Sequence, residues 1–260
     1  MVKKMQLSII TLQGIPEIHS GDNLVDVLIN ALHDNQVDLE DGDIIVLAQK
    51  IVSKAEGRFC NLANVSPTEK SYQLAKETGK DPRLIELILQ ESNEVLRVRQ
   101  GTIIVEHKNG FVCANAGIDH SNVHLDEGDP NLWYLLLPEN SDRSAREFRA
   151  ELQTRYKRNI GVLIIDSHGR AWRNGTVGIV IGLAGVPGIV DMRGQSDMYG
   201  YQLQNTIIAA ADELAGAASL MMGQADEKSP IVVVKGFPYP LRDSSNMLEV
   251  IRSREQDLFR

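Results

Sequence analysis

The sequence predicts an α+β fold of mixed sheets, hairpins and packed helices, and three observations carry that expectation. Short, almost wholly apolar runs at 43–48, 161–165 and 231–234 have the make-up of buried strands. Asn109-Gly110, set between two further apolar runs, is a tight-hairpin signal and argues against a uniformly doubly wound parallel sheet. Several stretches then place apolar residues at helical spacing.

Taken in order, residues 7–12 read as an opening strand, ended by the loop Gly14-Ile15-Pro16, because proline stops pairing and glycine admits unusual torsions. Leu24, Val27, Leu28 and Ala31 recur as the inner face of a helix, and 43–48 follows as a buried strand with a basic end at 49–58. Ser66-Pro67-Thr68-Glu69 has the form of a capping box with proline in the first turn, and Asp81-Pro82 repeats the device before Leu84, Ile85, Ile88 and Leu89. Residues 102–106 and 111–114 form the hairpin. A helix over 142–158 turns Ala145, Phe148 and Leu152 inward. Strands at 161–165 and 177–183 precede a long helix over 201–222, with Gly223 as its C-cap. A strand at 231–234 and a charged, helical tail over 246–260 complete the chain. The segment between the two halves, rich in Asp, Glu, Pro and Asn, predicts a seam between an N-terminal lobe, 1–125, and a C-terminal lobe, 126–260, joined as one unit.

At 260 residues and 43% apolar content the chain can bury a full core. Its 27 basic and 35 acidic residues leave a net charge of -8, which argues against a nucleic-acid binder. Cys60 and Cys113 lie in apolar surroundings, as expected of reduced thiols in a cytoplasmic chain. No run approaches the roughly 20 apolar residues of a membrane helix, and no secretory h-region follows the N-terminus.

The candidate chemistry sits where apolar strands run into oxygen-rich turns: Val112 to Asn122, with Asp119, and Gly161 to Arg170, with Asp166-Ser167. Two converging carboxylates favour a cation between them, and a hard divalent metal takes one or two carboxylates, waters and phosphate oxygens. Each carboxylate alone is better read as an ordinary Asx turn, and only the pair together favours a cation. No Walker A loop and no strand-linked G-x-G-x-x-G is present, so a phosphate would need another scaffold. The Gly14 turn supplies backbone N–H groups, and Lys50 and Lys54 supply ammonium charges; the alternative is a solvated basic strand end. Arg170, Arg173 and Arg193, set among glycines, suit an acidic substrate or serve surface solubility.

Gly14-Ile15-Pro16, Ser53-Lys54-Ala55-Glu56-Gly57-Arg58, Asn115 to Asn122, Asp166-Ser167-His168-Gly169-Arg170, Asp197-Met198-Tyr199-Gly200 and Met221-Met222-Gly223 stand in the order found in coenzyme F420-0:L-glutamate ligases. The resemblance spans about residues 7 to 255. It implies a GTP-dependent ligase that adds L-glutamate to coenzyme F420-0, and by γ-linkage to F420-1, through an acyl phosphate, with two divalent cations, Mg²⁺ or Mn²⁺, with K⁺, and as a homodimer. It further implies Asp119, Asp166, Ser167 and Gln224 as metal ligands. Gln13, Gly14, Ile15, Pro16, Gln49, Lys50, Lys54, Asn122, Gly223 and Gln224 are implied as nucleotide contacts. Gln224 stands where an acid is common in that family. A ligase using another anionic acceptor, or a non-catalytic nucleotide- or deazaflavin-binding module, are the competing expectations; retention of Asp119, Asp166 and Lys54 together favours catalysis.

Overall fold

The computed structural model describes residues 6–123 and 129–258. Positions 124–128, part of the expected seam, and 259–260, the end of the expected helical tail, lie outside them. The chain runs β1 (Ser8–Thr11), α1 (Leu24–Asp34), β2 (Ile44–Ala48), α2 (Gln49–Ala55), β3 (Phe59–Asn61), α3 (Glu69–Thr78), α4 (Pro82–Gln90), β4 (Ser92–Arg99), β5 (Thr102–His107) and β6 (Val112–Ala114). It continues through β7 (Trp133–Leu135), α5 (Ser141–Tyr156), β8 (Gly161–Arg170), β9 (Arg173–Ala184), β10 (Val190–Asp191), β11 (Ile207–Ile208), α6 (Ala210–Met222) and β12 (Ile231–Lys235). The fold is α+β, as the mixture of hairpins and crossovers predicts.

A five-stranded sheet in the order β1-β12-β2-β8-β9 forms the centre, and it draws strands from both sides of residue 125. Only β2 and β8 pair in parallel; the other neighbours are antiparallel. Ile44, Ile45, Val46, Val162, Leu163, Ile164 and Ile231 to Val234 are all fully buried. That explains their unbroken apolar runs, since a strand covered on both faces has no polar side to alternate with. Helices α5 and α6 pack on β8 and β9, and a second sheet, β4-β5-β6, reaches β8 through β6. Gly178 of β9 allows α6 to approach closely, because a Cβ there would lie 2.4 Å from Ser219 Cβ and 2.6 Å from the Ala215 carbonyl oxygen.

Several local expectations change. The basic stretch after β2 is not a strand end: it turns at Ala48 into α2, which buries Ile51, Val52 and Ser53. Gly57, at φ +67, closes α2 in a Schellman motif, with Arg58 N–H donating to Ser53 O and Gly57 N–H to Lys54 O. Helix α3 is capped by Thr68, whose hydroxyl accepts from Ser71 N–H, so Pro67 precedes the cap rather than entering the helix. Asp81 does cap α4, with Pro82 in the first turn. Helix α6 begins only at Ala210, because Ile207 and Ile208 pair with Val190 and Asp191 as strands; Gly223, at φ +75, ends it as expected. The tail holds 3-10 turns at Met247–Glu249 and Arg254–Gln256 rather than an α-helix. Strand β8 does not stop at Ile165 but continues beside β9 to Arg170. Cys60 and Cys113 are free thiols. Among the described residues no helix is long and apolar enough to cross a membrane.

The second sheet carries a pH-sensitive group. His107 is 2% exposed and stacked on Phe111, its Nδ1 accepts from Asn109 N–H, and burial pushes its imidazole from 6.5 down to about 4, with Arg58 and Lys108 adding to the effect. The unfolded chain thus takes up this proton at a higher pH than the folded chain. Stability conferred by the neutral ring is present above about pH 6.5 and is lost as pH falls toward 4, in total by roughly 3 kcal/mol. Urea unfolding between pH 7 and 4 is expected to show this slope, and His107→Leu to flatten it; an unchanged slope in the variant contradicts the assignment.

Candidate active site

The parallel pairing of β2 and β8 ends together, Ala48 opposite Ile165. The next residues are Gln49, which opens α2, and Asp166, which continues up the β8–β9 hairpin without a β2 partner. A cleft of about 590 Å³ opens at this place. In open parallel sheets ligands commonly bind outside the carboxyl ends of the strands, and the one parallel pair of this mixed sheet offers such a place.

Around the cleft stand Ile15, Pro16, Gln49, Lys50, Lys54, Asn122, Asp166, Ser167, Gly223 and Gln224, gathered from five separate stretches of chain. Gln13 fastens the first turn to the opposite lip, its Nε2 donating to Ser229 Oγ at 2.9 Å and its backbone N–H to Asn35 Oδ1 at 3.0 Å. Gly14, at φ +77, gives that turn a backbone that a side chain would strain, with nothing within 4 Å of where its Cβ would be.

Asp119 lies on the turn that follows β6, as the sequence predicts, and a second strand fixes it there. Beyond β6, Asn115, Ala116 and Gly117 hold consecutive φ values of 51, 55 and 64°, which turn the chain aside. A two-bond bridge to Leu135 of β7 then fixes Asp119. Its Oδ2 accepts from Gln49 Nε2 at 2.9 Å and lies 3.5 Å from Lys50 Nζ, while Lys50 also donates to Ser121 Oγ at 2.9 Å and Ser121 O at 3.1 Å. Burial pushes the Asp119 carboxyl above its ordinary value; the Lys50 ammonium opposes this, and the nearby Asp166 charge adds to it. The two carboxylates are therefore near enough for their charges to interact, but the Lys50 ammonium outweighs that repulsion, and it is burial that leaves the Asp119 carboxyl raised.

On the other side, Ser167 Oγ donates to Gln224 Oε1 at 2.8 Å, and Gln224 Nε2 donates to Ser219 Oγ at 3.1 Å. Ser167 pairs with Gly178 across the hairpin, which puts it on the α6 face of the sheet. Lys54 is 13% exposed, with Nζ 3.8 Å from Glu17 Oε1. The neighbouring Arg58 is structural instead: it donates to Glu91 at 2.6 Å and to Leu137 O at 2.9 Å.

Asp166, Ser167 and Gln224 line the cleft with oxygen donors, and Asp119 stands behind it against Gln49 and Lys50; oxygen donors are the kind a hard cation takes. Among the described residues no group of three or more His, Cys, Asp or Glu gathers into a metal cage. Two carboxylates with mutual repulsion and neutral oxygens fit a cation whose shell is completed by water and phosphate, as Mg²⁺ sites usually are.

The structure does not bring the three arginines to the cleft lining. Arg193 is held bidentately by Asp191, whose carboxyl it holds down to about 2; Arg170 donates to Gly175 O, and Arg173 lies exposed in the hairpin. Sequence reasoning passed over Glu17, Asp226, Glu227 and Lys228, which also line the cleft. Their signal was the charged run Asp226-Glu227-Lys228, which begins two residues after Gln224, and the acid directly after Pro16. Glu227 accepts from Ala225 N–H at 2.8 Å and so shapes the lip.

The family model for F420-0:gamma-glutamyl ligase matches residues 14–236. The chain is 45% identical over 257 residues to the coenzyme F420:L-glutamate ligase of Methanothermobacter thermautotrophicus, covering 98% of this chain and 100% of that one. It is 41% identical over 225 residues to the protein of the same name from Methanocaldococcus jannaschii, covering 86% and 87%, and 37% identical over 256 residues to that from Archaeoglobus fulgidus, covering 98% and 97%. The cleft and nearly all the strands that build it fall inside the matched region, and the chain belongs to the F420-0:gamma-glutamyl ligase family, whose members join an acid to an amino acid.

Proposed function

We propose that this protein joins L-glutamate to coenzyme F420-0, and by γ-linkage to F420-1, with GTP converted to GDP and phosphate through an acyl phosphate. The observation that carries the reading is the cleft that brings Lys54 and Asp166 together beside the Ile15-Pro16 turn, with the Asp119 carboxylate held just behind it by the lining residues Gln49 and Lys50. An amine does not condense with a carboxylate at neutral pH, so the carboxylate must first gain a leaving group. In the proposed sequence an acceptor carboxylate oxygen attacks the γ-phosphorus of GTP and GDP departs. The glutamate amine then attacks the acyl carbon, the C–O bond to phosphate breaks, and the amine loses a proton.

The chain's residues would bind and orient. The Lys54 ammonium lies within reach of phosphate oxygens as a compact charge, and the Gly14 turn offers backbone N–H groups. Gln49 and Lys50 hold Asp119 through Oδ2, and Ser167 holds Gln224. Two divalent cations, Mg²⁺ or Mn²⁺, would be held by Asp119, Asp166, Ser167 and Gln224, and would offset charge on the transferring phosphoryl group. K⁺ belongs to the same proposal as a supporting cation.

The proposal includes a homodimer. Met198, Tyr199 and Tyr201, close together in sequence, are 88%, 86% and 61% exposed, and this cluster is the surface a second copy would cover. Sedimentation velocity is expected to give twice the chain mass; a monomer at micromolar concentration removes this part.

The deciding assay incubates the purified chain with F420-0, L-glutamate, GTP and Mn²⁺ and follows products by mass. A glutamyl adduct of F420-0 formed in step with GDP is expected. Unchanged F420-0 beside GTP turnover on another acceptor contradicts the assignment.

A further inference from the structure

His168 lies two residues after Asp166 on β8, and alternation along a strand puts both side chains on one face. Its Nε2 is 2.9 Å from Asp166 Oδ2. An ionised carboxylate oxygen only accepts, so Nε2 carries the hydrogen and donates it. The ring is held rigidly: it is 7% exposed, its centroid lies 5.6 Å from that of Phe111, and Phe111 is itself stacked on His107 at 5.2 Å.

The other ring nitrogen makes the residue informative. Nδ1 of His168 is buried and has no hydrogen-bond partner among the described residues. A buried polar atom left unpaired costs stability, and a phenyl ring in this Phe111-walled slot would avoid that cost. The imidazole is therefore unfavourable to the fold at one nitrogen and useful at the other.

We propose that His168 is a positioning residue: by donating from Nε2 to Oδ2, it fixes the Asp166 carboxylate so that Oδ1 is held toward the cation and phosphate site. The inference rests on the reading of Asp166 as a metal ligand. A ligating carboxylate that can swing loses ordering free energy each time the cation binds, and partners that orient ligands are typically worth ten- to a hundredfold in metal affinity. His168 occupies that role from the core side, while Ser167, on the opposite face, is engaged by Gln224.

The test measures Mn²⁺ binding to the full chain by electron paramagnetic resonance in the presence of GDP, for wild type, His168→Phe, His168→Gln and Asp166→Asn. His168→Phe is expected to raise the Mn²⁺ dissociation constant by roughly ten- to a hundredfold, while its melting temperature stays level or rises because the orphaned Nδ1 is gone. His168→Gln keeps an N–H donor and is expected to recover most of the affinity. In turnover, the defect should fall on the Mn²⁺ concentration needed for half-maximal rate rather than on the rate at saturation. Wild-type Mn²⁺ affinity in a folded His168→Phe, with binding lost in Asp166→Asn, overturns the role of His168 and leaves Asp166 as a ligand. Wild-type affinity in Asp166→Asn overturns the ligand reading itself. A folded His168→Gln as weak as His168→Phe also refutes the hydrogen-bond account.

Discussion

Asp166→Asn is expected to leave the protein folded and to lower metal-dependent turnover by about a thousandfold. The substitution is isosteric, and the new amide oxygen can still accept from His168 Nε2, which lies 2.9 Å from Asp166 Oδ2. What is lost is one of only two acidic groups in the proposed ligand set, and neither Ser167 nor Gln224 can replace its charge. Charge stabilisation by a bound cation during phosphoryl transfer is worth several kcal/mol, and each 1.36 kcal/mol is a factor of ten in rate. The check is GDP and glutamyl-product formation beside circular dichroism; a folded variant with wild-type turnover contradicts the ligand assignment.

Lys54→Ala is expected to raise the KM for GTP by roughly ten- to a hundredfold, the equivalent of losing one or two charge-assisted contacts to phosphate. Lys54 is nearly buried, yet its partner Glu17 is 59% exposed and 3.8 Å away, so the pair contributes little to folding. The ammonium is thus held near the cleft by a weak contact and can turn to a phosphate at small cost. Steady-state kinetics with GTP varied is the measurement, and an unchanged KM would show that Lys54 serves Glu17 alone.

Much of the central sheet was legible because burial on both faces writes itself as continuous apolar sequence. Strands β2, β8 and β12 carry no competing pattern, and Asn109-Gly110 announced the β5–β6 turn through a glycine that the structure holds at φ +92. Strand β4 was not legible: register shifts between Ser92 and Glu94 and between Val95 and Arg97 break the period of two. Helix α2 was hidden by its seven-residue length and by Ile51-Val52, which suit a strand equally well. The early start expected for α6 came from Leu203 and Ile207 falling at helical spacing by chance, whereas Leu203 pairs back with the chain at Gly194 and Gln195.

The cleft shows the same division. Asp119, Asp166 and Lys54 were identifiable as chemistry-bearing residues, but the approach of Lys54 to Asp166 depends on β2 and β8 ending together, a non-local pairing across more than a hundred residues, and that of Asp119 on its bridge to Leu135. The arginines looked suited to substrate because of their glycine neighbours; Asp191 takes up Arg193, and neither Arg170 nor Arg173 faces the cleft lining. Arg58, in the same basic stretch as Lys54, proved to be a tie between Glu91 and Leu137. Sequence alone does not separate a lysine at a cleft from an arginine in a structural ion pair when both sit on one short helix and its cap.

The central claim is that Asp119 and Asp166 form the two sides of one site shared by cation and phosphate. Anomalous diffraction at the manganese edge from crystals grown with GDP and Mn²⁺ tests it most directly. The account predicts a manganese peak in the cleft at the carboxyl ends of β2 and β8, within ligand distance of an Asp166 carboxylate oxygen and of a phosphate oxygen of the nucleotide. Nucleotide bound in the cleft with manganese away from both aspartates, or nucleotide bound elsewhere on the chain, would contradict it.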